Sequence, residues 1–201
     1  MRRKHIMLSV LSLLLALTGF SQDLMVGNTA PDFSLKDQNG KAHQLQEYRG
    51  KYVVLEWVNY DCPFVKKHYD SGNMQALQST YTDRGVVWLS INSSAPGNQG
   101  NFSSKEINKR AKEHDAAFSA YLVDADGQVG GAYGARTTPH MFIIDPRGQL
   151  VYAGGIDNIR STKIEDISRA RNFVSLALDE ALAGKPISNS ISKPYGCSVK
   201  Y

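Results

Sequence analysis

Cysteine is scarce in this chain: 201 residues hold two, Cys62 and Cys197. Two thiols are too few for the disulfide framework that holds small secreted domains together. A surplus of one charge sign is also missing. There are 23 basic and 19 acidic side chains, and three of the basic ones, Arg2, Arg3 and Lys4, stand at the very start. The remainder balances at 20 against 19, or +1, so no electrostatic footprint for nucleic acid is present. No repeat or low-complexity block occurs, which excludes solenoids and linker arrays. The acidic turn Asp124–Gly127 begins like a calcium loop, yet its twelfth position is Ala135 rather than glutamate, which leaves a turn. The glycines of residues 127–131 lack the context of a dinucleotide fingerprint. No cofactor is implied.

Long apolar runs are lacking too. The one candidate, Ile6 to Leu17, falls short of the ~20 residues of a bilayer-spanning helix. With the basic residues before it, and Gly19, Ser21 and Gln22 after it, it reads as a secretory signal peptide over residues 1–21, the alternative being an uncleaved anchor. No cysteine follows the run, so lipid attachment at that cleavage site is excluded. The expected destination is outside the cytoplasm, the periplasm, with no membrane attachment after cleavage. There a thiol pair can oxidise and stay oxidised. About 180 residues remain, enough for one domain with a sizeable core: residues 22–186, followed by a glycine-containing, flexible tail, 187–201, that carries Cys197.

Within that domain, Asn39-Gly40 between two alternating segments signals a hairpin. Residues 51–58 (KYVVLEWV) and 86–92 (VVWLSIN) read as buried strands. From Pro63 the apolar spacing predicts helix, interrupted near Gly72. Ser103 and Glu106 have the spacing of a capping box, opening a helix to about His114. Strands are expected at 120–123, 140–144 and 149–153, a short helix at 129–133, and a last helix from Ile167 to Ala183, stopped by Gly184 and Pro186. Helices alternating with buried strands argue for an α/β fold whose sheet is covered on both faces. Two adjacent strands near the end make that sheet mixed.

The sequence WVNYDCPFVKKHYD places Cys62 where a buried strand gives way to a helix. A helix N-terminus offers unpaired N–H groups and a dipole that favour a thiolate. Lys66 and Lys67 add positive potential, and Asp61 opposes it. The alternative is a buried packing cysteine.

Three stretches together resemble the thioredoxin-like superfamily, in its redoxin branch with the alkyl hydroperoxide reductase/thiol-specific antioxidant proteins. They are GNTAPDFSLKDQNGKAHQLQEYRGKYVVLEW, DCPFV and TTPHMFIID, in the right order over most of residues 25–155. The resemblance implies a thioredoxin-like fold: a central mixed sheet flanked by helices, with an N-terminal β-hairpin extension. It implies that Cys62 is the attacking cysteine of a CxxC-type site and Pro139 the cis-proline beside it. Thr138 would present backbone groups to an extended substrate. Glu56 takes the place of a buried acid that assists proton transfer; the alternative is a salt-bridged or exposed strand residue. His140 follows the proline and lies near Cys62 or points away, while His68 reads as helix surface.

The chain departs from the pattern at two positions. The second CxxC position, where peroxiredoxins carry their peroxide-reactive cysteine, is Val65. The threonine three residues before the cysteine is Asn59. The chain is closer to peroxiredoxin-like proteins with a single active-site cysteine before a proline. Cys197 is the candidate second thiol: a resolving cysteine, a permanent staple to Cys62, or unpaired. A closed loop of that length would restrict the unfolded chain by about 5 kcal/mol. The reading is an exported thiol–disulfide oxidoreductase acting on protein thiols or disulfides, or on a small oxidant, and recharged by a thioredoxin-like reductant. The alternatives are a thiol peroxidase, or a copper-binding protein using the cysteines with His140 or His68.

Overall fold

The computed structural model describes residues 25–201; the expected leader lies outside them. Among the described residues the chain runs β1 (Ser34–Asp37), β2 (Ala42–Gln44), β3 (Val53–Trp57), α1 (Pro63–Asp70), α2 (Asn73–Thr82), β4 (Val87–Asn92), α3 (Ser104–Glu113), β5 (Ala120–Val123), α4 (Gln128–Ala132), β6 (Thr137–Thr138), β7 (His140–Ile144), β8 (Leu150–Gly154), α5 (Phe173–Leu182) and β9 (Cys197–Ser198). Seven strands form one sheet in the order β2-β1-β5-β4-β3-β7-β8. Its centre, β3-β4-β5, is parallel, and both flanks are antiparallel, so the sheet is mixed. β6 and β9 form a separate antiparallel pair. Among the described residues no helix is long and apolar enough to cross a membrane.

Every residue of β3 and β4 is buried, because layers cover both faces of these central strands. Alternation sorts their side chains. Val54 and Trp88 pack with Val65 of α1, Met74 of α2 and Leu178 of α5. Val53, Leu55, Trp57 and Leu89 fill the opposite face with Tyr133 and Phe142. Burying one such large side chain is worth about 2 kcal/mol, and both faces therefore fix the ends of β3 firmly. That rigidity matters because the chain leaves β3 toward Cys62.

Local rules account for most boundaries. Gly40 supplies the positive φ of the first hairpin, and Asp37 Oδ1 accepts the Asn39 and Lys41 N–H groups. Gly72 separates α1 from α2 at a left-handed φ of 75°. Ser103 caps α3 by accepting the Glu106 N–H, but Glu106 turns its carboxylate to Arg110, so half of the box is made. The last helix is shorter than its apolar spacing predicts. Residues Ile164–Arg169 form a 3₁₀ turn, and α5 starts afresh where Asn172 accepts the Ser175 N–H. A 3₁₀ turn repeats every three residues, close enough to 3.6 for the pattern to run across the break.

The tail departs most from expectation. It is a fixed strap rather than a flexible end. Ser192 N–H donates to Ala153 O, Val199 N–H to Arg136 O, and Ala95 N–H to Lys200 O. Tyr201 donates its hydroxyl to Ala135 O at 2.7 Å, its ring lying where Cβ atoms on Gly127 and Gly130 would stand.

Candidate redox site

The site begins with a turn that β3 cannot avoid. Asn92 donates to the Val58 carbonyl, Asn59 O accepts the Cys62 N–H, and Asn59 Oδ1 accepts the Asp61 N–H. Cys62 then becomes the N-cap of α1, with Pro63 in the first turn where its missing N–H leaves nothing unpaired. The sulfur is delivered to a helix N-terminus, as its position at the strand–helix junction predicts. Asp61 does not face it unopposed: the Asp61 carboxylate meets Arg110 at 2.7 Å, which offsets its charge.

The structure brings four of the expected site residues together. The Thr138–Pro139 peptide bond is cis. Cys62 Sγ donates to Thr138 O at 3.0 Å. It also lies 2.9 Å from Cys197 Sγ, both residues being free thiols. β9 supplies Cys197 by pairing with β6, where Cys197 stands opposite Thr138. The backbone edge beside the cis-proline, to which an extended substrate is expected to pair, is thus occupied by the chain's own strap. Cys62 is 1% exposed, whereas Cys197 is partly exposed. Burial, then the hydrogen bond and charge of Cys62, push the Cys197 thiol up to about 11.

Gly196 shows why the strap fits. Its φ is +146°, and a Cβ there would run into the Thr138 carbonyl. Only a residue without a side chain lets the strap lie this close to β6.

Glu56 is fully buried on β3 but does not hydrogen-bond to either sulfur. Its carboxylate accepts from Tyr69 and Gln78 of the two helices and from Trp88 and Ser90 of β4. Burial raises its pKa and the four donors oppose that rise. Through Tyr69 it fixes the position of α1, and so of Cys62. His140 faces the far side of the sheet, 4.4 Å from the Phe142 ring by centroids, with Nδ1 accepting the Arg136 N–H. Burial and Arg136 lower its pKa to about 4.

The second flank of the site went unread in the sequence. His68 is buried rather than on the helix surface, and so is Lys67. Both turn inward to Asp157, a residue that no motif marks. Lys67 Nζ lies 3.6 Å from Asp157 Oδ2 and donates to Ile159 O. Asn73 donates to His68 Nδ1, which leaves Nε2 to carry the proton toward the Tyr195 hydroxyl at 3.3 Å. Tyr195 donates to Asp157 Oδ1 at 2.6 Å. Burial, helped by Lys67 and opposed by Asp157, lowers the His68 pKa to about 4. Tyr195 also sets its ring edge-on to Phe64. This cluster therefore pins the strap, two residues before Cys197, to the helix that Cys62 caps. The available signal was the inward face of α1, where Val65, His68 and Tyr69 share a stripe at helical spacing.

Comparison with known proteins follows the same lines. A model of the AhpC/TSA family matches residues 26–153. The "Thiol-disulfide oxidoreductase ResA" of Geobacillus thermodenitrificans is 31% identical over 150 residues, 70% of this chain and 80% of that one. Among solved structures, an uncharacterized conserved protein from Geobacillus kaustophilus superposes with a TM-score of 0.74 at 30% identity, covering 89% of this chain and 93% of that one. A hypothetical protein from Sinorhizobium meliloti gives 0.75 at 26% identity, covering 90% and 96%.

Proposed function

The chain belongs to the AhpC/TSA family, and from that membership we propose an exported thiol–disulfide oxidoreductase that works through a reversible Cys62–Cys197 couple. The observation that carries the couple is the 2.9 Å between the two sulfurs, whose residues are 135 positions apart in the sequence. In the reducing direction the Cys62 thiolate attacks a substrate disulfide, forming a mixed disulfide and releasing one substrate thiolate. Cys197 then attacks Cys62 Sγ, the second substrate thiol leaves, and the protein is left oxidised. The helix N-terminus stabilises negative charge on Cys62 Sγ in both the attacking and the leaving role. Thr138 and Pro139 shape the edge along which an extended partner lies. Glu56 holds α1 in place behind the couple. Export is supported by the leader-like first 21 residues and by the need for a compartment that tolerates oxidised pairs.

Disulfide reduction of a model protein substrate, followed for Cys62→Ser and Cys197→Ser, tests the proposal. Cys62→Ser should be inactive. Cys197→Ser should form the mixed disulfide and stall there. Full turnover by Cys62→Ser would remove the proposal. Peroxide consumption in the same preparations separates it from a thiol peroxidase: the peroxidase reading requires Cys62-dependent peroxide turnover faster than disulfide turnover. Among the described residues no three histidine, cysteine or acidic side chains gather as metal ligands, so no ligand set beyond the two sulfurs supports the copper reading.

A further inference from the structure

The two cysteines differ in how far they are exposed. Cys62 lies beneath the strap, 1% exposed, while Cys197 forms part of the strap and is partly exposed. The strap is fastened on both sides of Cys197. On one side is the buried Tyr195–Asp157 hydrogen bond. On the other are the Val199–Arg136 and Lys200–Ala95 backbone bonds and the Tyr201 hydroxyl on Ala135. When the couple is oxidised, a covalent bond is added to these fastenings, at the point directly over Cys62.

We infer that electrons enter the oxidised protein through Cys197: a reducing partner attacks the strap sulfur, and Cys62 is the leaving thiolate. This rests on the couple proposed above and assigns the two sulfurs different outside faces. The partner's thiolate attacks Cys197 Sγ, an RS–Sγ197 bond forms, the Sγ62–Sγ197 bond breaks, and its electron pair leaves on Cys62. That thiolate forms at the α1 N-terminus, where negative charge is favoured. A second thiolate of the same dithiol partner attacks the partner sulfur. The partner leaves as a disulfide, and Cys197 leaves as a thiolate that takes a proton from water. The partner has lost two electrons and the couple has gained them. With the covalent bond gone, the strap is free to lift, which opens Cys62 to substrate. While the strap is docked, burial and the adjacent Cys62 sulfur hold the Cys197 thiol above its ordinary value, and it is lifting of the strap that uncovers Cys62. Entry and exit of electrons are thereby split between the sulfurs, with the strap as the gate.

The test uses the full oxidised protein, first checked by mass spectrometry for the intramolecular disulfide. It is mixed with a limiting synthetic cysteine tripeptide and quenched within the reaction time by excess N-ethylmaleimide. Peptide mapping should find the tripeptide on Cys197 and maleimide on Cys62. The reverse pattern overturns the inference while leaving the couple intact, whereas absence of any intramolecular disulfide in the first check overturns the couple and the inference with it. A second measurement avoids fast rearrangement. Cys62→Ser and Cys197→Ser, each loaded with a thionitrobenzoate adduct on the remaining cysteine, are mixed with the same tripeptide. The Cys197 adduct should release the chromophore at least tenfold faster; equal rates, or a faster Cys62 adduct, refute the assignment.

Discussion

Replacing Tyr195 with phenylalanine removes one oxygen from the strap and leaves its ring against Phe64. Two bonds go with it: the 2.6 Å donation to the buried Asp157 carboxylate, which is the stronger, and the 3.3 Å bond accepted from His68 Nε2. Hydrogen bonds to charged groups contribute about 1.5–3 kcal/mol, so about 2 kcal/mol of strap docking disappears. Asp157 keeps the Ile159 N–H and Lys67, so the carboxylate is not stranded and the fold should survive. If docking holds Cys197 over Cys62, the effective concentration of one thiol toward the other falls by up to ~30-fold, the equivalent of 2 kcal/mol. Titration against glutathione redox buffers reads that change as easier reduction of the couple. The rate at which reduced Cys62 attacks an external disulfide should stay level or rise, because the strap lifts more readily. A midpoint identical to wild type, in a variant whose thermal unfolding has dropped, would show that Tyr195 stabilises the fold without positioning the thiol, and the reasoning about the strap would fail.

Three further outcomes follow from the same geometry. Gly196→Ala forces a Cβ toward the Thr138 carbonyl at φ +146°, a strain of about 2 kcal/mol; disulfide formation between the two cysteines should slow more than tenfold, read by quenched-flow alkylation. Glu56→Gln sets an amide NH₂ among four donors and should cost about 3 kcal/mol in urea unfolding, with turnover per folded molecule changed less than in Cys62→Ser. The folded His68 ring resists protonation down to about pH 4, whereas an unfolded histidine protonates near 6.5. The unfolded state therefore binds the extra proton between those values, and stability falls as pH falls through that window. The contribution is roughly 2–3 kcal/mol between pH 7.5 and 4.5, and His68→Gln should flatten the slope by that amount.

The order of strands and helices was legible because the central strands are dense apolar runs and the turns carry Gly, Asn and Pro where backbone geometry requires them. The mixed α/β sheet, the first hairpin and the junction at Cys62 followed from those local signals, while the thioredoxin-like arrangement came from the resemblance of three stretches to that superfamily. The strap was not legible. Residues 187–201 hold no continuous apolar run, and their order comes from long-range backbone bonds and from two tyrosines whose partners, Asp157 and Ala135, are remote in sequence. His68 reads as a surface residue because polar side chains on a helix normally are, and Lys67 as a source of positive potential at Cys62; a single buried carboxylate, Asp157, draws both inward instead. Glu56 was recognisable by position, but its four donors come from three separate elements, α1, α2 and β4, so its distance from the sulfurs could not be inferred from spacing. Cys197 was singled out only through scarcity, since no other cysteine was available, and no local signal placed it beside Cys62.

The central claim is that two sulfurs 135 positions apart in the sequence form one reversible bond. Oxidation of the purified protein, digestion without reductant and mass mapping test it directly. The account predicts a single cross-linked species joining the Cys62 and Cys197 peptides, two hydrogens lighter than the separate thiol peptides and cleaved fully by dithiothreitol. Two cysteines that stay alkylatable after oxidation, or that link only between separate molecules, would contradict it.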